Sequence, residues 1–241
     1  MTTSDAIAGY LLRGVNRAVR EFGLIADGDR VAVGVSGGKD SRTLLELLVR
    51  GIDIPGHYEV VAIHVDGSDV GLPAQSAELE QWFRALDVAY AVAPLDVAKD
   101  EKLPMDCFRC SRNRRRALFR AADRLGCTKV ALGHHADDAA VTTLMSMMYK
   151  GQVETLEPRR RYFEGRLHLI RPLILLTETE IRRFARACQW ILPAEPSCPQ
   201  GLASRRARIE AFLRAMPQRE HEQIRANLWR AAIVSGDSAA A

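Results

Sequence analysis

Val31-Ala32-Val33-Gly34-Val35 runs directly into Ser36-Gly37-Gly38-Lys39-Asp40-Ser41, and the residues from Thr43 to Arg50 carry leucines at helical spacing. A short apolar run, then a glycine turn, then a helix reads as a buried strand feeding a phosphate-binding loop. Two glycines let the backbone approach an anion closely, and the helix that follows points its first amides at the same anion. Lys39 adds a positive charge, and Ser36 and Ser41 add hydroxyl donors. The turn is not a Walker A loop. That motif sets a Gly-Lys pair five residues after its first glycine and follows it with Ser or Thr. Counted from Gly34, the pair here comes one residue early, and Asp40 stands in the hydroxyl position. A turn without a ligand is the alternative, but Lys and Asp side by side have little packing value.

Outward from this loop, strands and helices alternate. Leu11, Leu12, Val15, Ala18, Val19 and Phe22 mark a helix over residues 5–22. Val60 to Val65 read as a second strand, and Leu79, Trp82, Phe83 and Leu86 as a helix face before a third strand near 88–93. Leu118, Ala121, Ala122 and Leu125 mark the next helix, which Gly126 ends. Lys129 to Gly133 form a fourth strand, followed by a helix through Val141, Leu144, Met145 and Met148. A fifth strand falls within Leu167 to Leu176, before a helix through Ile181, Phe184, Ala185 and Cys188. This order predicts an α/β fold, a doubly wound parallel sheet with helices on both faces and ligands at the carboxyl ends of the strands. The expected organisation is an N-terminal helix (1–24), a nucleotide-binding domain (25–200) and a C-terminal helical segment (201–241) whose tail from Gly236 is frayed.

The 241 residues, 47% hydrophobic, suit one such domain. No apolar run reaches the length of a membrane span and the N-terminus lacks a signal-peptide core, so a cytoplasmic protein is expected. In that compartment cysteines bind metal, catalyse or pack more often than they form disulfides. Net charge is only +4, yet seven arginines and one acid, Asp123, lie between Cys107 and Gly126. Arg159, Arg160, Arg161 and Arg166 form a second basic group, and Arg205, Arg206 and Arg208 a third. Such clusters fit a polyanion footprint, and equally a solvated arginine-rich surface.

Two further motifs bear on chemistry. Cys107-x-x-Cys110 opens the arginine-rich segment, and Cys198 lies far along the chain between Pro196 and Pro199. Structural zinc takes four closed ligands, whereas three thiolates with an open position suit a 4Fe–4S cluster; a histidine would complete a zinc site, so both stay open. Cys127 and Cys188 read as packing residues. Gly133-His134-His135-Ala136-Asp137-Asp138 follows the fourth strand. Paired aspartates at a strand end either bind a cation or cap a helix, and here one of Asp137 and Asp138 is expected on Mg²⁺ and the other at the cap.

Taken together, these blocks resemble the tRNA 2-thiocytidine synthetase family, within the pyrophosphate-loop group of ATP pyrophosphatases. The matches run in order: Ala26-Asp27-Gly28-Asp29-Arg30-Val31 before the loop, the Cys107/Cys110 pair with Arg114 and Arg115, Leu125 to His135, Asp137-Asp138, Met148 to Gly151, Ile170-Arg171-Pro172-Leu173, and Cys198. The resemblance covers most of residues 10–235 and implies an adenine nucleotide alpha hydrolase-like fold. It implies ATP at Ser36 to Ser41, with Ala62, Ile63, His64, Gly133 and His134 around the nucleotide. It implies Asp40 and Asp138 in Mg²⁺ or phosphate chemistry, with Asp137 beside them. A 4Fe–4S cluster would sit on Cys107, Cys110 and Cys198, with Arg114 near it and the phosphates. The implied reaction adenylates the C2 oxygen of a tRNA cytidine, then replaces it with sulfur from a sulfide or persulfide donor such as a cysteine desulfurase. A homodimer is expected by the same analogy alone. Departures are Pro199-Gln200-Gly201 after Cys198, an acidic Val65 to Asp69, and Arg159 to Arg161 in place of a Pro-rich stretch. Thiolation of another nucleotide or a small acceptor is the alternative within the group, and a non-catalytic nucleotide and cluster sensor the alternative outside it.

Overall fold

The computed structural model describes residues 2–71, 76–97, 103, 105–190 and 204–239. Its strands are β1 (Arg30–Gly34), β2 (Glu59–Asp66), β3 (Ala89–Pro94), β4 (Lys129–Ala131), β5 (Arg159–Tyr162) and β6 (Leu167–Ile170). They form one sheet in the order β3-β2-β1-β4-β6-β5. The helices are α1 (Thr3–Phe22), α2 (Lys39–Arg50), α3 (Ser76–Ala85), α4 (Cys107–Arg124), α5 (Ala136–Lys150), α6 (Glu178–Ala187), α7 (Arg205–Arg214) and α8 (Gln218–Ala239). The chain steps outward from β1 to β2 and β3, then returns to place β4 on the other side of β1. The crevice between the carboxyl ends of β1 and β4 is therefore the switch point where such sheets bind ligands.

Alternation along β1 builds two cores. Val31 and Val33 face Leu11, Val15 and Val19 of α1, Leu44 and Leu48 of α2, and Phe184 of α6. Ala32, between them, faces the other side, with Val61, Ile63 and Val130, under Leu118, Ala121 and Ala122 of α4. Cys127 packs in this second core and Cys188 against the first, as expected. A smaller cluster of Val141, Ile209 and Leu213 ties α5 to α7. Among the described residues, no helix is long and apolar enough to cross a membrane.

The structure refines three expectations. The sheet is not wholly parallel: β5 pairs antiparallel with β6, Arg160 opposite Leu169. Arg159-Arg160-Arg161 has no apolar alternation to mark a strand, yet an edge strand tolerates charge on both faces. The fifth expected strand is short, Leu167–Ile170, because Pro172 lacks an amide for the ladder. The C-terminal tail is helical through Gly236 to Ala239. Its alanines and serines propagate a helix already formed, and the single glycine costs only about 1 kcal/mol.

Candidate active site

Gly38 is the N-cap of α2, and Gly37 adopts a φ of 87°, which a side chain would resist. The loop closes on its own hydroxyls. Ser41 Oγ donates to the Gly38 carbonyl at 3.0 Å and accepts from the Ser36 amide at 3.1 Å. Arg42 locks the outer side: Nε donates to the Gly37 carbonyl at 3.0 Å, and Nη2 reaches Glu78 at 2.6 Å. The start of α2 thus presents its first amides to the crevice, as an anion site requires.

Gly133 brings the second loop against the first. A Cβ there would lie 2.8 Å from the Asp40 carbonyl carbon and oxygen and 2.9 Å from the Ser41 amide nitrogen. Both partners are backbone, so neither can step aside. The family resemblance implies nucleotide contact for Gly133; the structure gives it a packing role.

This close approach assembles a charged group around His135. The ring is buried, with Nε2 3.6 Å from Asp40 Oδ1 and 3.4 Å from Asp138 Oδ2, and Nδ1 3.6 Å from Asp137 Oδ2. Burial alone would lower its pKa, but the three carboxylates outweigh burial and hold it above the ordinary value. Asp138 accepts from the His135 amide at 3.0 Å and pairs with Arg206 of α7 through its other oxygen. Asp137, besides facing His135, accepts from the Glu178 amide at 2.7 Å and from Arg225 at 3.3 Å. Lys39, buried, bridges Asp40 at 3.2 Å and Glu178 at 3.3 Å. Burial raises the Asp40 pKa despite Lys39 and His135, and Asp40 Oδ1 has no hydrogen-bond partner. Among the described residues no group of three or more His, Cys, Asp or Glu side chains is arranged to hold a metal ion by itself. A cation such as Mg²⁺ takes one or two carboxylates and completes its shell with phosphates and water, so the unpartnered Asp40 Oδ1 could hold one.

His64 closes β2 beside the loop. Its Nδ1 lies 2.8 Å from the Val35 carbonyl, so that nitrogen carries the proton, and burial lowers its pKa. The Arg114 charge acts on the same ring. The side chains of Ala62 and Ile63 lie deeper, wholly buried, with β2 paired on both sides. His134 is paired with Arg171, whose Nε donates to His134 Nδ1 at 3.3 Å; burial pushes His134 down to about 4.

Asp106 caps α4, and Cys107 and Cys110 lie in its first turn, one exposed and the other partly so. Residues three apart share a helix face, so both thiols are presented together. Cys198 lies outside the described residues. Sequence reasoning missed His135 as the central group, together with Glu178, Arg206, Arg171 and Arg225. The basic group at Arg205–Arg208 was visible as charge, but nothing local announced its pairing with Asp138.

A family profile described as the PP-loop domain matches residues 12–222. The tRNA-cytidine(32) 2-sulfurtransferase of Anaeromyxobacter sp. (strain Fw109-5) is 37% identical over 227 residues, covering 92% of this chain and 74% of that protein. The chain belongs to this family. The protein of the same name from Paraburkholderia phymatum is 35% identical, over 87% of this chain and 63% of its own length. The solved U34-tRNA thiolase NcsA from Methanococcus maripaludis, with its 4Fe–4S cluster, shares the fold at a TM-score of 0.72 and 22% identity, covering 93% of this chain and 79% of that one. As a PP-loop protein the chain binds ATP.

Proposed function

We infer that this protein is a tRNA thiolase forming 2-thiocytidine at position 32. The observation that carries the reading is the sharing of one sheet edge by three features. They are the Lys39 loop, the Asp40–His135–Asp138 group, and the first turn of α4 with Cys107 and Cys110. α4 runs back toward the start of β4, so its first turn belongs to the carboxyl edge. The family membership supports the same reading.

ATP phosphates seat on the α2 amides and Lys39, with Ser36, Gly37, Gly38 and Ser41 shaping the cradle. Asp40 and Asp138 are the residues to hold Mg²⁺, which when bound neutralises the charge developing on the phosphates. The cytidine C2 oxygen attacks the α-phosphate, the bond to pyrophosphate breaks, and pyrophosphate leaves. Sulfide then attacks C2, and the C2–O bond breaks. AMP departs with the original oxygen, leaving C2 doubly bonded to sulfur. Arg114, beside His64, faces the same edge and suits the charge on the leaving phosphates. Exposed thiols at the start of a helix fit a thiolate-bound cluster, because the helix terminus favours anions. Cys107, Cys110 and Cys198 are the residues to hold a 4Fe–4S cluster, whose open iron supplies a place for sulfide. Holding sulfide near C2 contributes up to ~7–11 kcal/mol through proximity. The sulfide or persulfide donor is a cysteine desulfurase in this reading, the compartment is the cytoplasm, and the assembly is a homodimer.

The test is anaerobic reconstitution with iron and sulfide, addition of ATP, Mg²⁺ and unmodified tRNA, and nucleoside mass spectrometry. A 2-thiocytidine peak that needs ATP and is lost in Cys198→Ala is the expected result. A thiouridine peak would move the target to another nucleotide. No thionucleoside, with ATP and iron both bound, would overturn the tRNA reading. Iron content unchanged in Cys107→Ala, Cys110→Ala and Cys198→Ala would overturn the cluster ligands.

A further inference from the structure

Arg115 of α4, Arg160 of β5 and Arg171 after β6 lie close enough to act on one another beside the active edge, and Arg112 shares the helix face of Arg115. On α4, Arg112, Arg115 and Phe119 share one face, spaced three and then four residues apart. Phe119 meets Tyr162 of β5, ring centroids 4.9 Å apart. One helical turn back from Phe119 is Arg115, about 6 Å along the axis. Two residues back from Tyr162 is Arg160, about 7 Å along the strand and on the same face. Both steps lead toward the carboxyl edge, because α4 descends from it and β5 runs antiparallel to β6. At the top of β6 sits Arg171.

Arg171 is only 7% exposed and has no carboxylate within ion-pair distance among the described residues, the charge of the exposed Glu157 reaching it only from farther off. Its guanidinium donates to the Glu157 backbone carbonyl and to His134. A buried cation held only by neutral acceptors is costly unless an anion completes it. Burial lowers its pKa to about 10 against the opposing pull of Tyr162 and Glu157, and the charges of Arg115 and Arg160 add to the lowering. Arg112 and Arg115 are exposed and have no ion-pair partner among the described residues. The acids near Arg160 are both exposed: Glu157 at 3.9 Å, and Glu154, whose carboxylate feels the Arg160 charge.

We propose that Arg112, Arg115, Arg160 and Arg171 form a track for the RNA sugar–phosphate backbone, leading from the sheet edge to the first turn of α4. The proposal rests on the tRNA reading above and assigns where that substrate's phosphates lie. Arginine suits this task because its planar fork meets phosphate oxygens in pairs. Charge on an edge strand also deters sheet-to-sheet pairing. That role explains Arg159 to Arg161 but not the buried Arg171 or the unpaired arginines of α4.

The experiment measures tRNA affinity against salt for the full-length protein, apart from thiolation. In Arg115→Gln/Arg160→Gln, the slope of log K against log salt is expected to be shallower by about 2, one unit per lost phosphate contact. The KM for tRNA rises, while ATP affinity without tRNA and kcat at saturating tRNA stay near wild type. Arg17→Gln/Arg20→Gln on α1 removes the same charge from an exposed site elsewhere and is expected to leave the slope unchanged. A wild-type slope in Arg115→Gln/Arg160→Gln, or an equal loss in the α1 control, would overturn the track even if thiolation proceeds. A shallower slope with no thionucleoside in any protein would support the track and count against the reaction.

Discussion

Asp40 Oδ1 faces His135 Nε2 across 3.6 Å, and that buried oxygen has no hydrogen-bond partner. The N-terminal ends of two separate helices, α2 and α5, thereby form one charged group in the crevice between β1 and β4. An unpaired carboxylate oxygen costs free energy as it stands, and a cation on the ATP phosphates would satisfy it. Asp40→Asn is therefore expected to reduce tRNA-dependent pyrophosphate release about 100-fold or more, with the fold retained by circular dichroism. Release within threefold of wild type would remove Asp40 from the chemistry.

The two neighbouring histidines shift in opposite directions and give a stability maximum. His134 is depressed to about 4, so its contribution is present above the unfolded value near 6.5 and lost as pH falls toward 4. His135 is raised, so its contribution is present below about 6.5 and lost as pH rises through the folded value. Stability by urea denaturation should peak near pH 6.5, each limb having a slope of at most about 1.4 kcal/mol per pH unit. His134→Gln should flatten the acid limb and His135→Gln the alkaline one. Limbs unchanged in both variants would place the titration elsewhere.

Gly133→Ala tests the close approach of the loops. The added methyl meets Asp40 and Ser41 backbone at 2.8–2.9 Å. The expected cost is about 1–3 kcal/mol in urea denaturation, with ATP affinity reduced at least 10-fold because the loop must shift. Normal ATP binding in a destabilised variant would mean that the strain is absorbed away from the cradle.

Asp137 and Asp138 should separate cleanly. Asp137 caps the start of α6 through the Glu178 amide and pairs with Arg225 of α8. Asp137→Asn is expected to cost about 3–5 kcal/mol of stability, as for a broken buried pair. Pyrophosphate release per folded molecule should fall less than 10-fold. Asp138→Asn should show the reverse, with a large loss of release. Equal catalytic losses would put both aspartates on the cation.

The strand-turn-helix at residues 31–50 needed no tertiary information, because apolar runs and glycine turns are local signals. The two cores followed from the same alternation, and β1, β2, α2 and α5 lie where periodicity put them. β5 escaped because three consecutive arginines carry no period, and its place at the sheet edge is a property of the whole sheet.

Residue types and order alone thus determined the phosphate loop, the α/β class and the paired cysteines of α4. How the two aspartates divide was decided only in three dimensions: Asp137 and Asp138 are adjacent, chemically identical and both beside His135, but one continues to α6 and α8 and the other to Arg206 and the side of His135 that faces Asp40. The same holds for Arg171, whose burial without an acid partner follows from what the turn after β6 packs against. Long-range pairing of charges leaves no local trace, since Coulomb attraction depends on distance in space and not on separation along the chain.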